Sequence, residues 1–411
     1  MGAEPQPTTD RGEVHTYDSP ILDPPDADRL ERLRTERLAR LQGSMRAYDV
    51  AACVLFNEPN VRYATGASAM PVYAMSTFVR CAVVPQEGQP ILFEHANSVH
   101  RSRHRAPDVR PMHAWEFFDD PVAEAVAWAD LVVAALRELG VTGDLIAMDR
   151  AGTAAYLALE SRGIKLRDSG SVTQRARQVK GPVERSLFDL NAPVIEAELR
   201  TVEATLVPGV SEREVLAEMA RVLLRSGGEY LATNTVCSGP NTNPWRAEAT
   251  DRRIQLGDLV YVDTDSVALE GCFFCVSRTF AVGEPSAAQR ATYRAAQRWV
   301  ASMEALVRPG LTCAELAVMA PPIPERFIPQ RYECMIHGIG LEEENPSVSH
   351  PLDAQSNPDS VLEPGMVLVV EGYFGEVGAD HGVKLGDQLV VTEDGARTVV
   401  AYPWSDTLLA G

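Results

Sequence analysis

A two-domain α+β protein is predicted by three observations. The chain has 411 residues, more than one small core needs. Its first part alternates helical and strand-like runs, the pattern of an α/β unit. Its later part is strand-rich with a helix between the strands, which points to an antiparallel sheet. The expected division is an arm over 1–28, an α/β domain over 29–180, and a second domain over 181–411.

The first 28 residues are polar and rich in Pro and Asp. They lack the apolar run of a secretory signal and read as a flexible arm. Residues 29–45 have helical periodicity with charge on one face. AACVLFN (51–57) is a short apolar run. FVRCAVVP (78–85) and PILFEH (90–95) read as strands separated by the turn-forming QEGQ. Residues 121–139 read as a helix and LIAMDR (145–150) as a strand.

The second part opens with a helix after the Gly-Pro of QVKGPVE, running to about residue 206. SEREVLAEMARVLLRSGG (211–228) starts with a capping box, Ser211 and Glu214, and stops at Gly-Gly. Strands follow at LATNTVCSG (231–239), LVYVDTDSVALEG (259–271) and CFFCVSRTFAVG (272–283). A helix spans about 287–307. Strands return at GMVLVVEGYFGEV (365–377) and GVKLGDQLVVTEDG (382–395).

Charge and composition exclude some functions. With 57 acidic and 38 basic residues the net charge is −19, a field that repels polyanions, so no nucleic-acid partner is expected. No stretch reaches the roughly 18–20 apolar residues of a membrane span. Seven scattered cysteines, an odd number, do not suggest a disulfide framework, and a cytoplasmic location is the default.

Three segments carry candidate chemistry. In YVDTDSVALEGCFFCVSRTF (261–280), Asp263 and Asp265 lie two apart on a strand and so face one side. Hard cations need such clusters, although Asp-x-Asp is often only a turn or surface feature. In MIHGIGLEEENP (335–346), His337 precedes what reads as a flexible Gly turn; such a histidine is either structural or catalytic. In LEPGMVLVVEGYFGEV, Glu371 sits inside an apolar strand, where a carboxylate needs a cation, a hydrogen-bond donor or a proton.

Together these segments resemble the creatinase/aminopeptidase P/prolidase superfamily, the pita-bread fold. Supporting marks are QVKGPVE, SGPNTNP, HGIG, LEPGM and LVVTEDG. FNEPNVRYATGAS, SGPNTNPW, VDTD, YECMIHGIGL and VVAYPW are most similar to its dimethylsulfoniopropionate lyases. The resemblance implies a creatinase-like α/β domain followed by a pita-bread domain. It also implies metal ligands at Asp263, Asp265, His337 and Glu371.

Two further ligand positions depart from the family. Cys275 stands three residues before Arg278, where the family has an Asp. Gly386 stands fifteen residues after Glu371, where it has a Glu. Those two carboxylates bridge the metals in the family, so a dinuclear centre is not expected. Three states fit: a metal-free site; one divalent ion, with the Cys275 thiolate favouring zinc or ferrous iron; or a catalytically dead relative.

The resemblance implies Glu343, six residues after His337, as a general base and Tyr332 as a site tyrosine. Glu343 also reads as part of a solvated acidic run. Cys275 is a ligand, a nucleophile paired with His337, or a buried filler. His381 is a proton carrier or a hairpin surface residue. Trp245 and Tyr373 form a cation-accepting wall or ordinary packing.

The expected function is β-elimination on a small cationic or zwitterionic substrate, with Glu343 as base and Asp265 and Tyr332 positioning. A metal-free C–N hydrolase and a non-catalytic binding protein are the alternatives. A homodimer is expected.

Overall fold

The computed structural model describes residues 19–410 except 71, 73–78, 113–119, 144, 151 and 247. Most of the expected arm, residues 1–18, lies outside the described residues. The first helix, Ala27–Ala47, starts two residues before its expected position because Asp26 caps it, its Oδ1 accepting from the Arg29 backbone N–H at 2.7 Å.

The first domain is built on six strands: β1 (Ala52–Leu55), β2 (Cys81–Pro85), β3 (Ile91–His95), β4 (Asp108–Met112), β5 (Leu145–Met148) and β6 (Lys165–Asp168). Their order is β4-β3-β2-β1-β5-β6. β1 and β2 are buried along their whole length, which explains their unbroken apolar runs. The helix Pro121–Glu138 covers this sheet through Ala125, Trp128 and Val132.

Eleven strands follow among the described residues: β7 (Tyr230–Leu231), β8 (Val236–Ser238), β9 (Leu259–Asp263), β10 (Ser266–Val267), β11 (Phe273–Phe274), β12 (Ser277–Ala281), β13 (Cys334–Ile339), β14 (Glu343–Ser349), β15 (Val367–Gly375), β16 (Gly382–Val391) and β17 (Ala396–Thr398). The main sheet runs β14-β13-β15-β16-β12-β9-β8, with β17 on β16; β11-β10-β7 form a small second sheet.

Alternation along the central strands separates two faces. Leu368, Val370 and Phe374 of β15 and Val383, Leu385 and Leu389 of β16 share a core with Trp299, Val300 and Met303 of the helix Ala287–Leu306. The intervening residues, Glu371, Tyr373, Lys384 and Gly386, point to the other face. In β9, Val260 and Val262 pack with the helices Pro182–Thr205 and Glu212–Arg225, the second of which carries the expected Ser211–Glu214 capping box.

The two domains are joined by ion pairs, those of Arg37 and Lys180 fully buried. Arg37 pairs with Glu184 at 2.8 Å, Arg177 with Glu342 at 2.5 Å, and Lys180 with Glu344 at 2.6 Å. These contacts hold the 342–344 segment against the junction.

One buried acid gives a measurable pH dependence. Glu198, in the helix Pro182–Thr205, accepts from Ser266 Oγ at 2.8 Å through one oxygen, while the other has no partner. Burial pushes its carboxyl up to about 8. A carboxyl raised in the folded state is neutral in both states below about pH 4.5. Between about pH 5 and 8 it ionises only when unfolded, so its contribution to stability falls as pH rises, by roughly 1.4 kcal/mol per unit. Urea midpoints across this range are expected to decline less in Glu198→Gln than in the wild type. Parallel profiles would refute this.

Candidate active site

The site forms where β9, β12, β13, β15 and β16 converge. β9 ends at Asp263, and the chain then leaves the main sheet for the small one. Asp265 lies in the break with φ +37°, the left-handed region. The two aspartates are therefore not on one continuous strand face, as the alternation predicted. The pairing of β10 with β7 and β11 bends the backbone between them. Both carboxylates nevertheless reach one cluster with Cys275, their ligand atoms within 4.8 Å of one another.

Asp265 accepts from Thr233 Oγ1 at 2.6 Å. Burial, and then the charge of Asp263, push its carboxyl up to about 8. The Cys275 thiol lies 3.3 Å from Asp263 Oδ1 and donates to it. Burial, followed by the Asp263 charge, raises this thiol well above the ordinary range. It is thus a protonated donor, which weighs against a resting nucleophilic thiolate.

His337 lies in β13 with Nε2 3.7 Å from Glu371 Oε1 and Nδ1 3.0 Å from the Gly338 carbonyl. A carbonyl can only accept, so in this arrangement Nδ1 carries a proton. The His-Gly step is not the flexible turn that the sequence suggested. It is a strand irregularity where β14 closes in: a Cβ at Gly338 would stand 2.4 Å from the Asn345 carbonyl oxygen. Glycine is required there for close approach.

Glu371 lies directly opposite Gly386 in the β15–β16 pairing. Its partner is Lys384, a residue not singled out in the sequence. The Lys384 ammonium bonds Glu371 Oε2, lies 3.9 Å from Asp263 Oδ2, and stands 3.7 Å from the centre of the Tyr332 ring. Burial alone would favour loss of its proton, but Glu371, Tyr332, Asp263 and Cys275 together outweigh burial and hold its pKa above the ordinary lysine value. The signal was present in GVKLGDQLVV: a lysine in a central strand needs a buried anion.

Tyr332, His337 and Glu343 line a cavity of about 450 Å³, together with Gln174, Cys334 and Ser347. Glu343 begins β14 and is exposed. Tyr332 packs against Trp245 in a tilted arrangement, ring centres 5.2 Å apart. Tyr373 instead donates to the Thr242 carbonyl at 2.8 Å, so the aromatic pair is Trp245–Tyr332. His381 is not brought to this cluster. It faces the helix Ala287–Leu306, Nε2 3.4 Å from Thr292 Oγ1, with Nδ1 2.8 Å from Asp380 Oδ1. It stands just before β16, and its ring is turned to that helix and not to the acidic cluster.

Residues 37–179 match the creatinase/prolidase N-terminal domain, and residues 192–393 match metallopeptidase family M24. The dimethylsulfoniopropionate lyase DddP of Roseovarius nubinhibens is 31% identical over 395 residues, covering 92% of this chain and 88% of that protein. The chain belongs to the pita-bread superfamily of creatinase and prolidase. Within the superfamily its resemblance runs to the DddP lyases: the enzyme of that name from Roseobacter denitrificans is also 31% identical, over 94% of this chain and 89% of its own length. Among solved structures, the Xaa-Pro dipeptidase of Bacillus anthracis superposes with a TM-score of 0.75 over 90% of this chain and 99% of that one. At 21% identity this shows the shared fold. The α+β two-domain architecture expected from sequence is thus the architecture of this pita-bread protein. Among the described residues no helix is long and apolar enough to cross a membrane.

Proposed function

We propose that this DddP-like protein cleaves a small zwitterionic onium compound of the dimethylsulfoniopropionate kind by base-initiated β-elimination. The observation that carries this reading is the sharing of one cavity by Glu343, Tyr332 and His337. Tyr332 also touches Lys384 and His337 lies beside Glu371, which link the cavity to the buried acidic cluster.

The chemistry follows from these groups. Two carboxylates, Glu371 and Asp263, flank a single fixed ammonium, and a third acid, Asp265, lies in the same cluster as Asp263. That excess of acidic groups favours a cationic substrate headgroup, and Trp245, packed beside Tyr332, provides a second attraction for it. Burial keeps the Tyr332 phenol protonated, so it serves as an O–H donor that positions substrate, with Asp265 beside the cluster. Glu343 removes the proton from the carbon next to the substrate carboxylate. The C–H electron pair forms the C=C bond, and the C–S bond breaks with its pair leaving on sulfur. The products are a dialkyl sulfide, an unsaturated carboxylate and the proton on Glu343, which passes to water.

A bridged pair of dications does not fit these donors. Position 386 offers no side chain, and an ammonium already binds Glu371. No step of this reading is routed through a metal.

The test is to incubate purified protein with dimethylsulfoniopropionate and measure headspace dimethyl sulfide and dissolved acrylate. Equal release of both is expected. Binding without either product would overturn the reading in favour of a non-catalytic relative. Amine release from a C–N substrate in their place would move it to a hydrolase.

A further inference from the structure

We propose that Lys384 is the resident cation of this site. Its ammonium stands among the side chains that would hold metal in family M24 and keeps divalent ions out.

The Lys384 ammonium sits within the candidate ligand set. It bonds Glu371 and lies 3.9 Å from Asp263, two of the four side chains expected as ligands. Its side chain is 1% exposed, so it is committed to this place and does not sample solvent. The face of Tyr332 at 3.7 Å provides a further attraction.

Room for it comes from glycine. Lys384 and Gly386 are two residues apart on β16 and share a face, and Gly386 lies opposite Glu371. Even a Cβ at 386 would stand 3.0 Å from the Glu371 Cβ and 3.2 Å from the Val370 carbonyl oxygen. With no side chain at 386, the lysine reaches Glu371 from the neighbouring register position.

The remaining donors are also satisfied without an ion. Asp263 accepts from the Cys275 thiol, Asp265 from Thr233, and His337 is turned to the Gly338 carbonyl and Glu371. A buried acidic cluster normally requires cations. Here one ammonium, one thiol and one hydroxyl give each of the three carboxylates a donor. A divalent ion entering the cluster would meet a positive charge at contact distance and compete for oxygens already bonded.

This inference stands apart from the elimination reading, because its test reads metal content and not turnover. Wild type, Lys384→Met and Lys384→Arg would each be stripped with chelator and then titrated with zinc and with manganese. Ions per chain would be read by elemental analysis after gel filtration, and affinity by calorimetry.

Wild type and Lys384→Arg are expected to retain no ion. Lys384→Met is expected to hold one per chain, with a gain of at least ~100-fold in zinc affinity, and to lose it when His337→Ala is added. An ion held stoichiometrically by the wild type and lost in His337→Ala would overturn the proposal. So would a folded Lys384→Met that gains nothing. Should Lys384→Met fail to fold, the wild-type arm decides alone: exclusion of saturating zinc from the His337 site supports the proposal, and its retention there overturns it.

Discussion

Arg278→Ala is expected to lower the stability of the second domain by about 3–5 kcal/mol, the cost of removing one partner from a buried ion pair. Arg278 is buried and makes four bonds. Its guanidinium donates to the Gly386 carbonyl at 2.8 Å, the Ser277 carbonyl at 3.0 Å, and Asp387 Oδ1 and the Tyr402 carbonyl, each at 2.7 Å. It also lies 4.2 Å from the centre of the Trp404 ring. Truncation would leave the Asp387 carboxylate facing Glu304, whose own carboxyl burial and then the Asp387 charge already push up to about 8. It would also release the Gly386 carbonyl where β12 meets β16 through the Ser277–Gly386 pair. Arg278→Lys keeps the charge but cannot span these acceptors, so it is expected to recover only part of the loss. Urea denaturation of the three proteins checks this. A shift below about 1 kcal/mol for Arg278→Ala would mean that the network relaxes around the vacancy.

The parts of the site legible in the sequence were those fixed by local pattern. Glu371 announced itself as an acid inside an apolar strand, and the Ser211–Glu214 cap as a helix start. His337, Asp263, Asp265 and Cys275 were found by their order along the chain, and the fold brings them into one cluster.

The parts not legible depend on contacts between distant segments. The bend at Asp265 comes from β10 joining β7 and β11, which no local pattern announces. The role of Gly338 depends on the approach of Asn345 across a strand pair. The partnership of Trp245 with Tyr332 spans residues far apart in sequence, and Tyr373 is taken by Thr242. The pairing of Lys384 with Glu371 crosses from β16 to β15, although strand alternation alone places Lys384 beside Gly386.

Glu343→Gln is expected to reduce turnover of dimethylsulfoniopropionate by roughly 100- to 10,000-fold, the range over which a positioned general base acts. The structure separates this residue from its neighbours in the acidic run. Glu342 is engaged by Arg177 at 2.5 Å and Glu344 by Lys180 at 2.6 Å. Burial works against ionisation of Glu344, but Lys180 and Arg177 outweigh it and hold its carboxyl below the ordinary range. These two acids fasten the segment to the domain junction. Glu343, between them, is exposed and lines the cavity with Tyr332 and His337. The amide substitution keeps its size and removes its basicity. At an exposed position it should alter stability by no more than about 0.5 kcal/mol, and the loss should fall on kcat with KM little changed. Glu344→Gln is expected to show the opposite pattern, a loss of stability from the Lys180 and Arg177 charges left without their anion. Retention of more than about a tenth of wild-type turnover in Glu343→Gln would remove it as the base. If Cys275→Ala were instead the inactivating change, with folding intact, proton abstraction by Glu343 would give way to a thiol-dependent reaction centred on Asp263 and His337.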